Sequence, residues 1–302
     1  MKNKQLLILV DKIGEKKEFF AHYISQRLPE GSFVTISRFS DLTFDVQSKN
    51  IKVGLGDGGD IKDYDFVYFR RTGSKFLSLA GTLAVCLDYF GIAYADTTYA
   101  NLGPSGDKFT SLVRLAIDGI LVIPSYLCWH TEIEAKADEI ISKFGLPLVT
   151  KQLSSQRGRG VFLLKSKEEF GKLDSQFPDE EFLFQKYLPS NEEYRILVLE
   201  DKVGSFEKKV RTDPDEFRSN VALGAREEFI DISKISPEIK NIAVEASKAL
   251  NIQIAGVDVL IDEGGKPWLL EVNRGPGLTY DPKVSPELDS LSLYFTHKLK
   301  GE

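Results

Sequence analysis

Two stretches near the C-terminus decide the fold: Ala255-Gly256-Val257-Asp258-Val259-Leu260 and Leu270-Glu271-Val272-Asn273-Arg274-Gly275-Pro276-Gly277. The first lies in an apolar run, 254–261, and the second closes a run that begins at Pro267. Between them Glu263-Gly264-Gly265-Lys266 reads as a turn, so the runs are predicted to form an antiparallel hairpin. Glu271 and Asn273 are two residues apart and share one face of their strand, and the hairpin can bring Asp258 opposite them. Oxygen-bearing side chains converging amid Val257, Val259, Leu260, Leu269, Leu270 and Val272 repel one another unless a cation lies among them. Hard oxygen ligands with few protein contacts suit Mg2+ completed by phosphate oxygens and water. A plain hairpin with solvent-facing polar residues is the reading that pattern alone leaves open.

Working back along the chain, Lys151 closes an apolar strand and is followed by Ser154-Ser155-Gln156-Arg157-Gly158-Arg159-Gly160, after which a second strand returns. Backbone N–H groups of such a loop, with a lysine, can cradle phosphates; a solvated hairpin loop is the alternative. Phe217-Arg218-Ser219-Asn220 lies in a polar stretch with Lys208, Lys209, Arg211 and Arg226. A fork-shaped guanidinium suits a phosphoryl group in transfer or a tetrahedral oxyanion, against the alternative of a solvated charge run. Gly54-Leu55-Gly56-Asp57-Gly58-Gly59 matches a dinucleotide fingerprint, but three aspartates follow where the pyrophosphate needs a helix N-terminus, so a loop is expected.

The rest of the chain supplies the frame. Residues 5–10 read as a buried strand, 15–28 as a helix, 32–36, 51–55 and 65–69 as strands, and 76–90 as a buried helix. This alternation predicts an open α/β domain over 1–98. Asp107 is a candidate N-cap for a helix over 108–118, with Gly119 at its end. A helix over 131–143 is predicted to start with Thr131 and Glu134 as a capping box. Strands 146–152, 160–164 and 181–187 and helix 167–176 complete a small α+β unit over 99–184. Residues 185–302 hold a hairpin over 194–206, a polar interruption over 213–228, a helix over 237–250, the decisive hairpin and a last helix near 286–299.

Composition narrows the function. The 302 residues carry 39 basic and 45 acidic side chains, a net charge of -6. That argues against a non-specific nucleic-acid binder, whose affinity comes from an excess of Lys and Arg. Cys86 and Cys128 cannot build a disulfide framework, and His22, His130 and His297 are too scattered for zinc. No apolar run approaches the ~18 residues that span a bilayer, and the five at the N-terminus are too few for a signal peptide core. A cytoplasmic protein with no membrane partner is expected.

These motifs fall in the order found in the ATP-grasp superfamily, and the sequence resembles its RimK-like carboxylate–amine ligases from about Gly103 to Leu278. The resemblance rests on Gly106-Asp107-Lys108-Phe109 with Gly119-Ile120-Leu121-Val122-Ile123-Pro124, on Leu148-Val149-Thr150-Lys151 with the loop to Gly160-Val161, and on Phe184-Gln185-Lys186-Tyr187-Leu188. Glu193-Tyr194-Arg195, Arg218-Ser219-Asn220 and the two decisive strands complete it. It implies an ATP-grasp fold, α/β and α+β, with an N-terminal open α/β domain, a central lid domain and a C-terminal domain carrying the metal.

It also implies roles. Lys108 and Lys151 would contact ATP phosphates. Gln185, Lys186, Tyr187 and Leu188 would line the adenine slot, Lys186 and Tyr187 through backbone groups, and Glu193 would bind ribose hydroxyls. Arg218, Ser219 and Asn220 would sit at the γ-phosphate and acyl phosphate, with Arg218, Lys151 and Asn220 catalytic. Asp258, Glu271 and Asn273 would hold Mg2+, or Mn2+ in its place. Arg70, Arg71 and Arg274 are candidates for an acidic substrate group. Lys186 departs from the acidic residue common at the hinge, and Arg274-Gly275 from the small polar pair common after the asparagine. The implied activity is ADP-forming ligation of a carboxylate to the amine of an amino acid, peptide or protein through an acyl phosphate, and a homo-oligomer is implied as well. A small-molecule kinase on the same fold and a non-catalytic ATP-binding module are the competing readings.

Overall fold

The computed structural model describes residues 4–47, 50–56, 58–101, 108–128, 130–153, 155, 160–178, 180–190, 192–210 and 226–301. Arg218, Ser219, Asn220, Arg157, Arg159 and the Asp107 cap lie outside the described residues.

The apolar runs expected at the N-terminus form a parallel sheet. Its strands are β1 (Lys4–Val10), β2 (Ser32–Arg38), β5 (Phe66–Arg71) and β6 (Ala93–Ala95), in the order β2-β1-β5-β6. Alternation sends Leu6, Ile8 and Tyr68 to one face and Leu7, Leu9 and Phe69 to the other, so both faces need cover. Helix α2 (Leu77–Phe90) covers one through Ala80, Leu83 and Leu87. Helix α1 (Glu15–Ser25) and the last helix, α7 (Glu287–Lys300), cover the other. The predicted strand at 51–55 does not join this sheet. It is β4 (Asn50–Gly54), paired antiparallel with β3 (Thr43–Gln47) in a separate hairpin. A short 3-10 turn capped by Asp60 follows the glycine-rich loop, which therefore lacks the helix a phosphate fingerprint needs.

The second sheet is antiparallel, in the order β7 (Ser125–Leu127), β10 (Phe182–Lys186), β8 (Leu148–Gln152) and β9 (Val161–Leu164). Helices α4 (Ile133–Phe144) and α5 (Glu168–Gln176) pack on it through Ile133, Ala137, Ile140 and Phe170. Helix α4 does not begin at Thr131, where a capping box was expected. The chain enters α4 through a 3-10 turn, His130–Glu132, so Thr131 lies inside a helical turn and Glu132 takes the N-cap position with no side-chain cap.

The third sheet is also antiparallel: β13 (Arg226–Ile230), β12 (Lys202–Val210), β11 (Glu192–Leu199), β14 (Ile254–Ile261) and β15 (Pro267–Arg274). Strand β13 falls where a polar interruption was expected. Its exposed Arg226 and Glu228 alternate with half-buried Glu227 and Phe229, and the charges mask the period of two on this edge strand. Helices α3 (Lys108–Ile117) and α6 (Pro237–Ala249) cover one face over Val257, Val259, Ile196 and Val198. The opposite face changes character along its strands. Leu197, Leu199 and Ile254 join the core of the parallel sheet, whereas the other ends of the same strands carry charge.

Two junctions fix the parallel sheet against the third. Buried Asp96, just past β6, accepts the backbone N–H groups of Gln253 (2.7 Å) and Ile254 (2.8 Å), while Thr97 and Gln253 exchange two more hydrogen bonds. At the other, Gly275 lies against Arg70. Its φ is +57°, and a Cβ there would come within 2.3 Å of the Arg70 carbonyl oxygen.

Replacing Asp96 by alanine leaves two backbone donors without an acceptor. Asp96→Ala should cost about 2–4 kcal/mol in denaturant unfolding, with Asp96→Asn, which keeps an acceptor oxygen, costing less than half as much.

Candidate active site

The charged ends of the third sheet meet at Asp258. In the ladder Asp258 stands opposite Arg195 on one side and Glu271 on the other. The Arg195 fork closes on its carboxylate, with Nε 2.9 Å from Oδ1 and Nη2 2.9 Å from Oδ2. Lys209 Nζ lies 3.0 Å from Oδ2 and 2.6 Å from Glu193 Oε1. Asp258 is 3% exposed. Burial alone would raise its proton affinity, but Arg195 and Lys209 hold it well below the usual carboxylate range. Burial likewise works against the Lys209 charge, and Asp258 and Glu193 more than offset it.

Glu271 is exposed at the rim and accepts the Asn273 side-chain amide at 2.8 Å, as their shared strand face predicts. Asn273 is opposite Gly256, where a Cβ would meet the Pro276 ring at 2.6 Å. The glycine of one motif strand therefore makes room for the proline of the other.

From the second sheet comes Lys151, half-buried on β8. Burial lowers the proton affinity of its ammonium against the pull of Glu271, Glu193 and Asp258. Lys108, at the start of α3, is lowered by burial too, with Glu271 opposing. Its Nζ donates to the carbonyls of Gln152 (2.9 Å), Leu153 (3.4 Å) and Ser155, so it braces the end of β8. Among the described residues, the Lys151 side chain makes no hydrogen bond or ion pair.

On β10, Gln185 is buried and donates to Ser125 Oγ at 2.7 Å, while its Oε1 has no partner. The Lys186 side chain is exposed and its backbone N–H donates to Pro124 O at 3.0 Å, which leaves that N–H unavailable to a base. Tyr187 and Leu188 follow the end of the strand.

The three arginines suggested for an acidic substrate differ in setting. Arg70 is 1% exposed, donates from Nη2 to Tyr280 Oη (3.2 Å) and, among the described residues, has no hydrogen-bond partner at Nε or Nη1. Strand β5 carries it into the junction with the third sheet. Arg71 is half-buried. Arg274 stacks 4.9 Å from the Tyr99 ring centre.

Sequence reasoning gave no role to Arg195, Lys209 or Glu207. The signal was present, because Glu193 and Arg195 on β11, and Glu207 and Lys209 on β12, recur at the strand period of two. Glu207 faces Arg195 across the ladder, is 2% exposed, and its Oε1 has no hydrogen-bond partner among the described residues. Burial, with Glu227 and Glu287 nearby, pushes its carboxyl up to about 8 against the pull of Arg195 and Lys209.

Among the described residues no group of three or more His, Cys, Asp or Glu could hold a metal ion. The donor set here is instead two carboxylates and an amide. Asp258 Oδ1 accepts one hydrogen bond and retains a lone pair, and Glu271 offers its second oxygen at the rim. Such hard oxygens fit a small divalent cation that draws its remaining ligands from a polyphosphate.

A RimK-like ATP-grasp domain model matches residues 105–286. The chain belongs to the RimK-like ATP-grasp family. It is 34% identical over 227 residues to a probable alpha-L-glutamate ligase of Coxiella burnetii, covering 73% of this chain and 72% of the relative. It is 31% identical over 230 residues to the one of Trichodesmium erythraeum, covering 73% and 72%. The ATP-grasp ligase PsnB, complexed with a minimal precursor, Mg and ADP, superposes with a TM-score of 0.72 at 16% identity, over 98% of both chains. D-alanyl-alanine synthetase A from Vibrio cholerae gives 0.70 at 15% identity, over 100% and 98%. The fold is thus the ATP-grasp fold, and this RimK-like chain is an ADP-forming carboxylate–amine ligase. No helix among its described residues is long and apolar enough to cross a membrane.

The RimK-like frame carries a pH signature. Folded Glu207 holds its proton up to about pH 8, whereas an ordinary glutamate releases it near 4.5. Between those values the folded chain binds the extra proton, so stability falls as pH rises. Glu207→Gln should flatten this part of the melting-temperature profile, measured from pH 4.5 to 8 by differential scanning calorimetry.

Proposed function

We propose that this ligase activates a substrate carboxylate with ATP as an acyl phosphate and passes the acyl group to the amine of an amino acid or peptide. The observation that carries the reading is Lys151, a half-buried cation with no ion-pair partner among the described residues, facing Asp258, Glu193 and Glu271 from the neighbouring sheet. A polyphosphate would complete the charge balance there. The alpha-L-glutamate ligase relatives, and the PsnB structures with precursor peptide, ADP, Mg or AMPPNP, support amine, nucleotide and metal partners of this kind. The division into 1–98, 99–184 and 185–302 follows the same reading, as does a cytoplasmic location.

The chain's own groups have separate tasks. Lys151 neutralises phosphate oxygens. Lys108 braces the end of β8 beside the nucleotide. Purine edge atoms would meet the Lys186 carbonyl and the backbone of Tyr187 and Leu188. Glu193 is near enough to share Lys209 with Asp258, which orients it for ribose hydroxyls. Asp258, Glu271 and Asn273 would hold Mg2+, or Mn2+ with similar oxygen preference. The ion would neutralise phosphate charge and align the phosphoryl group in transfer. Phosphoryl transfer asks the protein mainly for positioning and charge neutralisation. Arg218, with Ser219 and Asn220, is assigned to the acyl phosphate, where it would steady the oxyanion formed on amine attack.

Two measurements test this. With ATP, L-glutamate and hydroxylamine, the parent should release ADP and phosphate and form a hydroxamate; phosphate retained on the acid would favour a kinase instead. Lys151→Met and Arg218→Ala should each lower turnover about 10²–10³-fold. Fluorescent ATP-analogue binding should weaken for Lys151→Met and change little for Arg218→Ala.

A further inference from the structure

The polar end of the third sheet holds an acidic group that the roles above do not use. Glu207 on β12, Glu227 on β13 and Glu287 in the first turn of α7 lie together. Glu227 is opposite Lys209 and diagonal to Glu207 across the β12–β13 ladder, and α7 packs on β12. Glu227 Oε2 accepts Thr279 Oγ1 at 2.8 Å, and Glu287 Oε2 accepts the Thr279 backbone N–H (2.8 Å) and Ser285 Oγ (3.0 Å). These are neutral donors. The charged groups that face Glu207 are Arg195 from β11, Lys209 from its own strand, Glu227 from β13 and Glu287 from α7. Both cations are committed elsewhere, Arg195 to Asp258 and Lys209 to Asp258 and Glu193. Glu207 Oε1 is left buried and without a hydrogen-bond partner among the described residues.

A buried carboxyl beside two others, whose nearest described cations Arg195 and Lys209 are already committed to Asp258 and Glu193, is costly to ionise unless a positive ligand enters. The position suits one reactant. Glu207 is two strand spacings from Asp258, about 10 Å, on the side of the sheet away from the Glu271 rim.

We propose that Glu207, flanked by Glu227 and Glu287, receives the ammonium group of the amine substrate and takes its proton. This deepens the ligase reading and rests on it. Binding of the ammonium drives the proton held by free Glu207 out to water, and one ammonium proton then passes to the carboxylate oxygen so exposed. The freed nitrogen lone pair forms the C–N bond at the acyl carbon. The C–O bond to phosphorus-bound oxygen breaks with its electron pair, and a second nitrogen proton goes to the departing phosphate. Glu207 keeps that proton, as in the free enzyme near neutral pH, until the next ammonium displaces it.

Hydroxylamine separates this role from a structural one, because it is uncharged near pH 7 and needs no proton removed before attack. With ATP, Mg2+ and L-glutamate as the acid, Glu207→Gln should reduce the ratio of amide formed with L-glutamate to hydroxamate formed with hydroxylamine about 100-fold or more. The residual amide rate should climb with pH. Equal loss of both products, or loss of neither, overturns the proposal. Binding is read without turnover by melting the protein in methylammonium chloride and in sodium chloride of equal ionic strength. The parent should melt higher in methylammonium, and Glu207→Gln should show no difference. A parent indifferent to methylammonium also overturns the proposal. A parent that makes neither product refutes the ligase reading separately, while the melting comparison still decides the cation pocket. Folding of Glu207→Gln is checked by a melting temperature at pH 8 no lower than the parent's.

Discussion

The arrangement depends on the ion pairing of Asp258. A carboxylate this buried on a central strand is tolerable only because the Arg195 fork and Lys209 both close on it. Removing one partner of such a group leaves an uncompensated charge, typically a loss of about 3–5 kcal/mol. The same contacts set the geometry around it. Arg195 aligns β11 with β14, Lys209 ties β12 to both Asp258 and Glu193, and Glu271 and Asn273 take the rim.

That constraint explains how one sheet serves two purposes. One end of its inner face is apolar and shares a core with the parallel sheet and α7 through Leu197, Leu199 and Ile254. The other end is charged and faces Lys151 and Lys108. Rigid apolar packing holds one end of each strand, and the site is built on the other, so the charged groups inherit a fixed frame. The junctions at Asp96 and Gly275 keep the parallel sheet in register with this frame through backbone contacts.

Stability and chemistry pull in opposite directions at two side chains. Lys151 is a cation weakened by burial, and Glu207 a carboxylate that burial and its neighbours push towards its neutral form. Each would be more favourably placed in water. Groups held in such surroundings bind an opposite charge strongly because little solvent competes for them.

The sequence alone determined the elements whose period is uninterrupted. The hairpin of Asp258, Glu271 and Asn273 was legible because apolar residues two apart bracket the polar ones, and the turn between them is rich in glycine. The parallel strands β1 and β5 and helices α2 and α6 were legible for the same reason, and the order of motifs pointed to the family. Strand β13 was hidden by Glu227 and Glu228, because an edge strand can be polar where it meets solvent. Thr131 is not the N-cap of α4 because it lies inside the 3-10 turn through which the chain enters that helix. Only the tertiary structure decided which charges meet. Arg195 and Lys209 close on Asp258, Arg70 is buried, and Glu207 Oε1 is left without a hydrogen-bond partner among the described residues, because those outcomes depend on cross-strand register and on the docking of α7, which bring together residues far apart along the chain.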